Sequence, residues 1–260
     1  MLSLQWKDLC TTEVTRARVD EKSQNEKGFR LFMCVHHFLF CYPKNGVVLG
    51  SLFGYDESIV QSKRFWNMLE KICNLKKEKI VWPAARFKAE GSPKIPFSLD
   101  CVDCRIREPK HPRYNIDKGY SSHKFKKSGL RYELAIELHQ SNLVWINGPF
   151  KAGSDNDLTI FRKALKKKVK KLHGKKGMAD GGYEGEEDLL CLPSSLDKEL
   201  EHEYKSRARC RHESFNCKIK KYQSMDGVWR HGEDKHRMAF YAICVTLQYE
   251  MENGSPLFDV

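Results

Sequence analysis

The chain has 260 residues, of which 40% are hydrophobic and 31% are charged, which is typical of a globular protein with one or two domains. Its 46 lysines and arginines exceed its 34 aspartates and glutamates, so the formal net charge is +12. This excess favours a polyanionic partner: nucleic acid is the main hypothesis and an acidic membrane surface the alternative. The longest uncharged apolar run, 31–43, is too short to span a bilayer, and residues 1–8 lack the blocks of a signal peptide.

The ten cysteines are predicted to be free, buried thiols rather than a disulfide framework. Cys101 and Cys104 have the spacing of half a zinc site, but the sequence has no second pair of this spacing. Cys210 and Cys217 are too far apart in sequence to form half of a zinc site. A structural zinc ion is therefore not expected.

The first part of the chain divides into a tail and a helical region. Residues 1–28 are polar and weakly patterned, which predicts a loose tail with room for one helix near residues 2–9. Residues 29–90 are predicted to form a small helical region. Its first helix, 29–42, ends at Pro43.

Within this region, three predicted helices with Gly54 before the third have the outline of a helix-turn-helix. The third helix would then read DNA, and four of its residues would face the bases: Gln61, Ser62, Lys63 and Arg64. The alternative is an ordinary helical bundle that packs on the next domain.

Residues 91–260 are predicted to form an α/β domain. Its apolar runs predict five strands, at 97–106, 130–138, 143–146, 177–179 and 189–192. The second strand alternates apolar and charged residues, which predicts a half-exposed strand. A basic helix over 158–172 lies between the third and fourth strands. Late helices are expected over about 199–222 and 239–251, and the last is apolar nearly all round, as in a buried helix.

Several blocks of this domain resemble the DDE superfamily endonucleases of the Harbinger-type transposase group. The central blocks read Gly153-Ser154-Asp155-Asn156-Asp157, Ile160-Phe161-Arg162 and Asp180-Gly181-Gly182-Tyr183. The first acidic block spans 97–109, the third has the form Arg211-His212-Glu213-x-x-Asn216, and a segment at 229–236 follows it. The resemblance runs in separate blocks from about residue 52 to the C-terminus. It implies a ribonuclease-H-like core, a mixed sheet with flanking helices.

The resemblance also selects the acids that would do chemistry. It implies that Asp100, Asp180 and Glu213 hold two Mg²⁺ or Mn²⁺ ions, and that water or a DNA 3′-hydroxyl attacks a phosphodiester. Asp103 is the secondary aspartate of the first block. Cys101 stands where the family usually has glycine. The partner implied is DNA, and a homo-oligomer and a separate DNA-binding partner protein are compatible with this interpretation.

The basic helix is the predicted DNA surface. Nine lysines and arginines lie between residues 162 and 176 without an acid, which suits phosphate contacts, a nuclear localisation signal, or simply a solvated helix face. The predicted DNA contacts are Lys163, Lys166, Lys167, Lys170, Lys171 and Arg211.

Two functions therefore follow from the sequence. The first is a nuclear, metal-dependent DNA endonuclease or strand-transfer enzyme derived from a transposase. The second is a domesticated, catalytically silent DNA-binding protein on the same fold. Fold alone does not separate them.

Overall fold

A computed structural model describes residues 1–11, 21–109 and 117–260, with side chains from residue 26 onward in the second range. The chain is an α/β protein with one five-stranded mixed sheet in the order β3-β2-β1-β4-β5. The strands are β1 (Phe97–Arg105), β2 (Gly129–Glu137), β3 (Leu143–Lys151), β4 (Gly177–Met178) and β5 (Leu190–Cys191). Strands β1, β2 and β3 pair antiparallel, while β4 runs parallel to β1 and β5 runs parallel to β4.

The helices flank this sheet and precede it. They are α1 (Leu2–Thr11), α2 (Glu21–Cys41), α3 (Val47–Phe53), α4 (Lys63–Asn74), α5 (Lys76–Lys79), α6 (Ala84–Lys88), α7 (Asp157–Lys163), α8 (Leu165–Val169), α9 (Glu199–Lys220), α10 (Gln223–Asp226) and α11 (Glu233–Glu252). No helix in the described ranges is both long and apolar enough to cross a membrane.

Strand β1 sends alternate side chains into two hydrophobic clusters. Val102 and Cys104 pack with α2, α4, α9 and α11, whereas Phe97 and Leu99 pack with α7 and α8. This alternation is the two-residue period of a strand. Asp100 therefore lies on the face of the sheet that helix α9 covers.

Strand β2 is buried along its whole length, so the predicted half-exposed strand is wrong. It lies between β1 and β3, and helices cover both faces of the sheet. Its charged side chains are buried with partners: Arg131 contacts Asp103, Glu133 accepts a hydrogen bond from Trp145, and Glu137 pairs with Arg86. These partners allow charged residues to occupy a central strand.

The loose tail predicted for residues 1–28 is also wrong where the structure describes it. The expected short helix is present as α1, and it packs on α11: Leu9 is buried, and the Gln5 side chain donates to Thr246 Oγ1 at 3.3 Å. Helix α2 begins at Glu21, well before the predicted start at residue 29. Residues 12–20 of this prediction lie outside the described ranges.

The helical region contains the predicted three helices, with Gly54 in a left-handed conformation at the end of α3. A 3-10 turn (Glu57–Gln61) precedes α4. Helix α4 buries Phe65, Trp66 and Leu69 in the cluster that also holds β2 and α11, so this region packs on the sheet domain. Lys63 and Arg64 are exposed in the first turn of α4, whereas Gln61 ends the 3-10 turn and Ser62 caps α4, its Oγ accepting from the Phe65 amide at 3.3 Å. Their DNA contact stays a prediction.

The basic helix is broken. Its backbone departs from helical geometry at Ala164, which separates α7 from α8, and a 3-10 turn (Lys170–Leu172) follows. Four apolar residues of this segment are nonetheless buried: Phe161, Leu165, Val169 and Leu172 are each at most 1% exposed, while Leu158 is half-buried.

All ten cysteines are free, as predicted, but only Cys34, Cys101, Cys104 and Cys244 are buried.

Candidate functional site

A cleft of about 260 Å³ opens between the neighbouring strands β1 and β4 of the sheet and helix α9. Strand β1 supplies Asp100, the segment after β4 supplies Asp180, and α9 supplies Glu213. The three acids that the sequence analysis selected thus line one cleft, although they lie far apart in the chain.

Asp100 and Asp180 are brought together by parallel pairing. Phe97 lies opposite Gly177 and Ser98 opposite Met178. Two residues further on, the same register places Asp180 level with Asp100 and on the same face of the sheet. Asp180 caps the following 3-10 turn, because its Oδ1 accepts from the Gly182 amide at 2.9 Å.

The Asp100 carboxylate accepts two hydrogen bonds. The Cys101 amide donates to Oδ1 at 2.7 Å, and the Asn216 side chain on α9 donates to Oδ2 at 3.0 Å. Burial raises the pKa of Asp100 to about 6. Lys124 and the Cys101 amide oppose this shift, and the charges of Asp180 and Asp157 add to it. A cation beside Asp100 would favour its ionised form.

Cys101 is accommodated without strain in the position where the resembled family has glycine. It continues β1 opposite Glu133, and its thiol is buried 3.6 Å from the Tyr183 hydroxyl. Since Cys101 and Cys104 are three residues apart on a strand, their side chains point to opposite faces. The pair therefore cannot form half of a zinc site.

Glu213 lies at the rim of the cleft. It is on the exposed side of α9 with Cys210 and Cys217. Its side chain is 59% exposed and meets Arg209 one turn earlier, at 3.6 Å between Oε1 and Nε. An exposed pair of this kind holds its partners weakly, so Glu213 can turn toward the cleft.

The chemistry of these side chains fits magnesium or manganese, which prefer carboxylate oxygens. The ligand set is not assembled in this conformation, because the described ranges contain no group of three His, Cys, Asp or Glu placed to hold a metal ion. To complete the set, Glu213 would break its contact with Arg209. Asp100 Oδ2 would also give up its hydrogen bond with the Asn216 amide and bind the metal instead.

A fourth acid, Asp157, lies close enough for its charge to affect Asp100, although it does not line the cleft, and the sequence analysis did not identify it. It is the first residue of α7, and it lies against the turn that follows Asp180: a Cβ at Gly182 would come within 3.2 Å of Asp157 Oδ2 and 3.0 Å of Asp180 Oδ1. Burial raises the pKa of Asp157, and Arg131 opposes that shift. Asp157 belongs to the Gly153-Ser154-Asp155-Asn156-Asp157 block of the resemblance, but an aspartate at the start of a helix is also typical of helix capping.

Arg131 joins this acid to strand β1. Its Nε and Nη2 donate to the two carboxylate oxygens of Asp103 at 2.7 and 3.0 Å, and its Nη1 donates to Asp157 Oδ1 at 2.8 Å. Ser122 adds a hydrogen bond of 2.6 Å to Asp103. Asp103 is thus a buried structural acid behind the site, in keeping with its predicted secondary rank.

His212 lies in the wall of the cleft, with Nδ1 2.8 Å from the Ser98 hydroxyl. Burial lowers the pKa of His212 to about 3, so its imidazole is neutral near pH 7. His212 therefore contributes hydrogen bonding, not positive charge.

The predicted DNA contact at Arg211 is wrong. Arg211 is 1% exposed, and its guanidinium donates to the backbone carbonyls of Gln140 and Phe258 and weakly to that of Glu137. It ties α9 to the C-terminal segment and the β2–β3 turn and cannot reach a nucleic acid. The sequence pattern of alternating basic residues on α9 does not distinguish an inward arginine from an outward one.

The predicted basic surface is partly neutralised. Lys163 pairs with Asp155, and Lys166 shares Glu186 with Arg162. Lys167, Lys170 and Lys171 are exposed. None of these lysines lines the cleft.

Comparison with protein-family models, with curated proteins and with solved structures finds no match to this chain.

Proposed function

We propose that this protein is a divalent-metal-dependent DNA endonuclease or strand-transfer enzyme of the DDE type, with a ribonuclease-H-like core. The observation that carries the proposal is that Asp100, Asp180 and Glu213 all line one cleft. Of the 34 acids in the chain, these three were selected beforehand by resemblance. The sheet agrees with the layout expected of such a core: three successive strands, a helix, further strands and closing helices.

Under this proposal Asp100, Asp180 and Glu213 hold two Mg²⁺ or Mn²⁺ ions. Such ions supply an activated oxygen nucleophile and stabilise the charge on the leaving oxygen. The chain's own residues prepare the site. Asn216 holds the Asp100 carboxylate in the cleft until a metal ion replaces its hydrogen bond, and the Gly182 amide fixes the carboxylate of Asp180. Lys124, at the edge of the cleft, offers positive charge to an incoming phosphate.

The second candidate, a catalytically silent DNA-binding protein, is favoured by a different observation. Asp100 is bonded to Asn216 and Glu213 is paired with Arg209, so the acids have partners without metal. A protein that only binds DNA would keep these contacts permanently. The exposed lysines of the basic run would then carry its function, together with a nuclear location.

A nicking assay on supercoiled DNA with Mg²⁺ or Mn²⁺ tests the enzyme against the silent binder. We expect the wild type to nick and Asp180→Asn to lose at least about 100-fold in rate, corresponding to about 3 kcal/mol of transition-state stabilisation. Asp188→Asn, at an exposed acid outside the cleft, is the matched control and should nick like the wild type. Absence of nicking by the wild type with either metal would favour the silent binder.

A further inference from the structure

A second groove, of about 290 Å³, adjoins the cleft. The two share Lys124 and Asn216 on their walls. The second groove continues along β1 toward Arg105 and is bounded by Phe125 and by Lys220 at the end of α9. A polymer that passes over Asp100 in the cleft would therefore continue directly into this groove.

The groove is cationic. Lys124, Arg105 and Lys220 line it, and within the described ranges none of the three forms an ion pair. Lys220 is fixed by the carbonyls of Asp103 and Met225, and Lys124 donates to the Cys101 carbonyl at 3.3 Å.

Two acids also line the groove, and they do not cancel this charge. Asp103 is committed to Arg131 through two hydrogen bonds, while Asp226 is exposed. The groove lining thus carries three cations without an ion pair and two carboxylates, of which Asp103 shares the Arg131 guanidinium with Asp157, and the small net positive charge of this lining attracts an anionic chain.

An aromatic ring accompanies these cations. Phe125 packs over the backbone at Gly129, where a Cβ would come within 2.8 Å of its ring, and it remains partly exposed. The Arg105 guanidinium lies 5.2 Å from the ring centroid. Since the guanidinium lies over one face of the ring, a base can stack on the opposite face of the ring or on the outer face of the guanidinium.

We infer that this groove binds an unpaired segment of the DNA strand beside the phosphodiester in the cleft, with a phosphate at Lys124 and Arg105 and a base on Phe125. The inference rests on the proposed function. In a duplex each base is covered by its neighbours, so a ring on the wall of a groove cannot stack on it. A cationic groove with an aromatic ring is the arrangement by which proteins bind single strands. Asn216 Oδ1, buried without a partner in the described structure, leaves an acceptor for a base amine or a water at the junction of the two grooves.

The test is a binding measurement in EDTA, with a fluorescent single-stranded oligonucleotide and the blunt duplex of the same sequence. Phe125→Leu should weaken single-strand binding by about 5- to 150-fold, the equivalent of one stacked base, and leave duplex binding unchanged. Phe125→Tyr should retain single-strand binding because it keeps the ring. Phe258→Leu, at an exposed phenylalanine outside the groove, is the matched control and should bind both probes like the wild type.

Arg105→Gln gives a second measurement that does not depend on the packing of Phe125. It should reduce the slope of log affinity against log salt for the single strand by about 0.7, while Lys77→Gln, at an exposed lysine on α5, should not.

Equal weakening of both probes by Phe125→Leu, an unchanged slope for Arg105→Gln, or no single-strand binding by the wild type would overturn the inference. The binding assay contains no metal and is therefore independent of cleavage. A protein that binds the single strand as expected but never nicks DNA when metal is added would refute the proposed function and not the groove. Nicking with unchanged single-strand binding in Phe125→Leu would refute the groove alone.

Discussion

At the scale of single residues, the Asp100 carboxyl links stability to pH. Its pKa rises from 3.8 to about 6 on folding, so the folded protein holds this proton more tightly than the unfolded chain. The resulting stability is fully present below about pH 4 and is lost as the pH rises through about 6. Asp100→Asn cannot ionise and should therefore become more stable relative to the wild type between these pH values.

Thermal unfolding of both proteins in EDTA across this pH range measures the effect. For Asp188→Asn, at an exposed acid, the difference in unfolding temperature from the wild type should stay constant across this pH range. Mg²⁺ should shrink the difference between wild type and Asp100→Asn at neutral pH, because a bound cation stabilises the ionised carboxyl. A difference that does not vary with pH would contradict the assigned pKa.

Asp103 should matter for stability, because its loss leaves the buried Arg131 guanidinium with one counter-ion. We expect Asp103→Asn to lower the free energy of unfolding by about 3 kcal/mol, the usual effect of breaking a buried ion pair. Asp155→Asn removes the partner of Lys163, whose side chain is 52% exposed, and should cost less than about 1 kcal/mol. Urea unfolding compares the two. A similar loss in both variants would refute the structural role of Asp103.

At the scale of elements, the basic segment formed by α7, α8 and the following 3-10 turn divides into paired and unpaired lysines. Replacing Lys167, Lys170 and Lys171 by glutamine should flatten the salt dependence of duplex binding, by up to about 2.7 in the log–log slope if all three contact phosphates. Lys166→Gln should have a smaller effect, since that lysine already forms an ion pair with Glu186, which it shares with Arg162. Fluorescence anisotropy at several salt concentrations measures the slopes. An unchanged slope in the triple variant would indicate that this segment is simply a solvated helix face.

Element boundaries followed well from the sequence where one apolar pattern decided them. Strand β1 was predicted at 97–106 and is Phe97–Arg105, and the helix predicted over about 199–222 is α9, Glu199–Lys220. Strand β2 was misjudged because its charged residues find partners on α6, β1, β3 and α7. A sequence pattern gives no information on partners that only the tertiary fold brings near.

The same limit applies to the site. The resemblance selected the three acids, but spacing alone could not have placed them in one cleft. Asp157 was missed because a capping aspartate and a site aspartate occupy the same position at the start of a helix. Arg211 was misassigned because a buried arginine that binds backbone carbonyls has no distinct sequence signal.

At the scale of the whole molecule, one hydrophobic cluster joins the helical region to the sheet. It includes Leu9 of α1, Phe38 of α2, Leu69 of α4, Leu134 of β2 and Phe240 of α11. The predicted boundary near residue 90 therefore does not separate two hydrophobic cores. If α4 binds DNA, its apolar face stays buried in this cluster, and only the exposed residues at its start contact the DNA.

The net charge of +12 suits DNA binding by an enzyme and by a silent binder alike, so the deciding measurement must separate binding from cleavage. Glu213 allows this, because its side chain is 59% exposed and its replacement by glutamine should leave the fold intact. As a metal ligand it would act mainly in the transition state.

The most direct test compares Glu213→Gln with Glu203→Gln, at an exposed glutamate on the same helix, for DNA affinity and for cleavage rate with Mn²⁺. We predict that both variants bind DNA like the wild type, that Glu203→Gln cleaves normally, and that Glu213→Gln cleaves at least about 100-fold more slowly. Equal cleavage by Glu213→Gln and the wild type would contradict the assignment of this cleft as a metal-dependent active site.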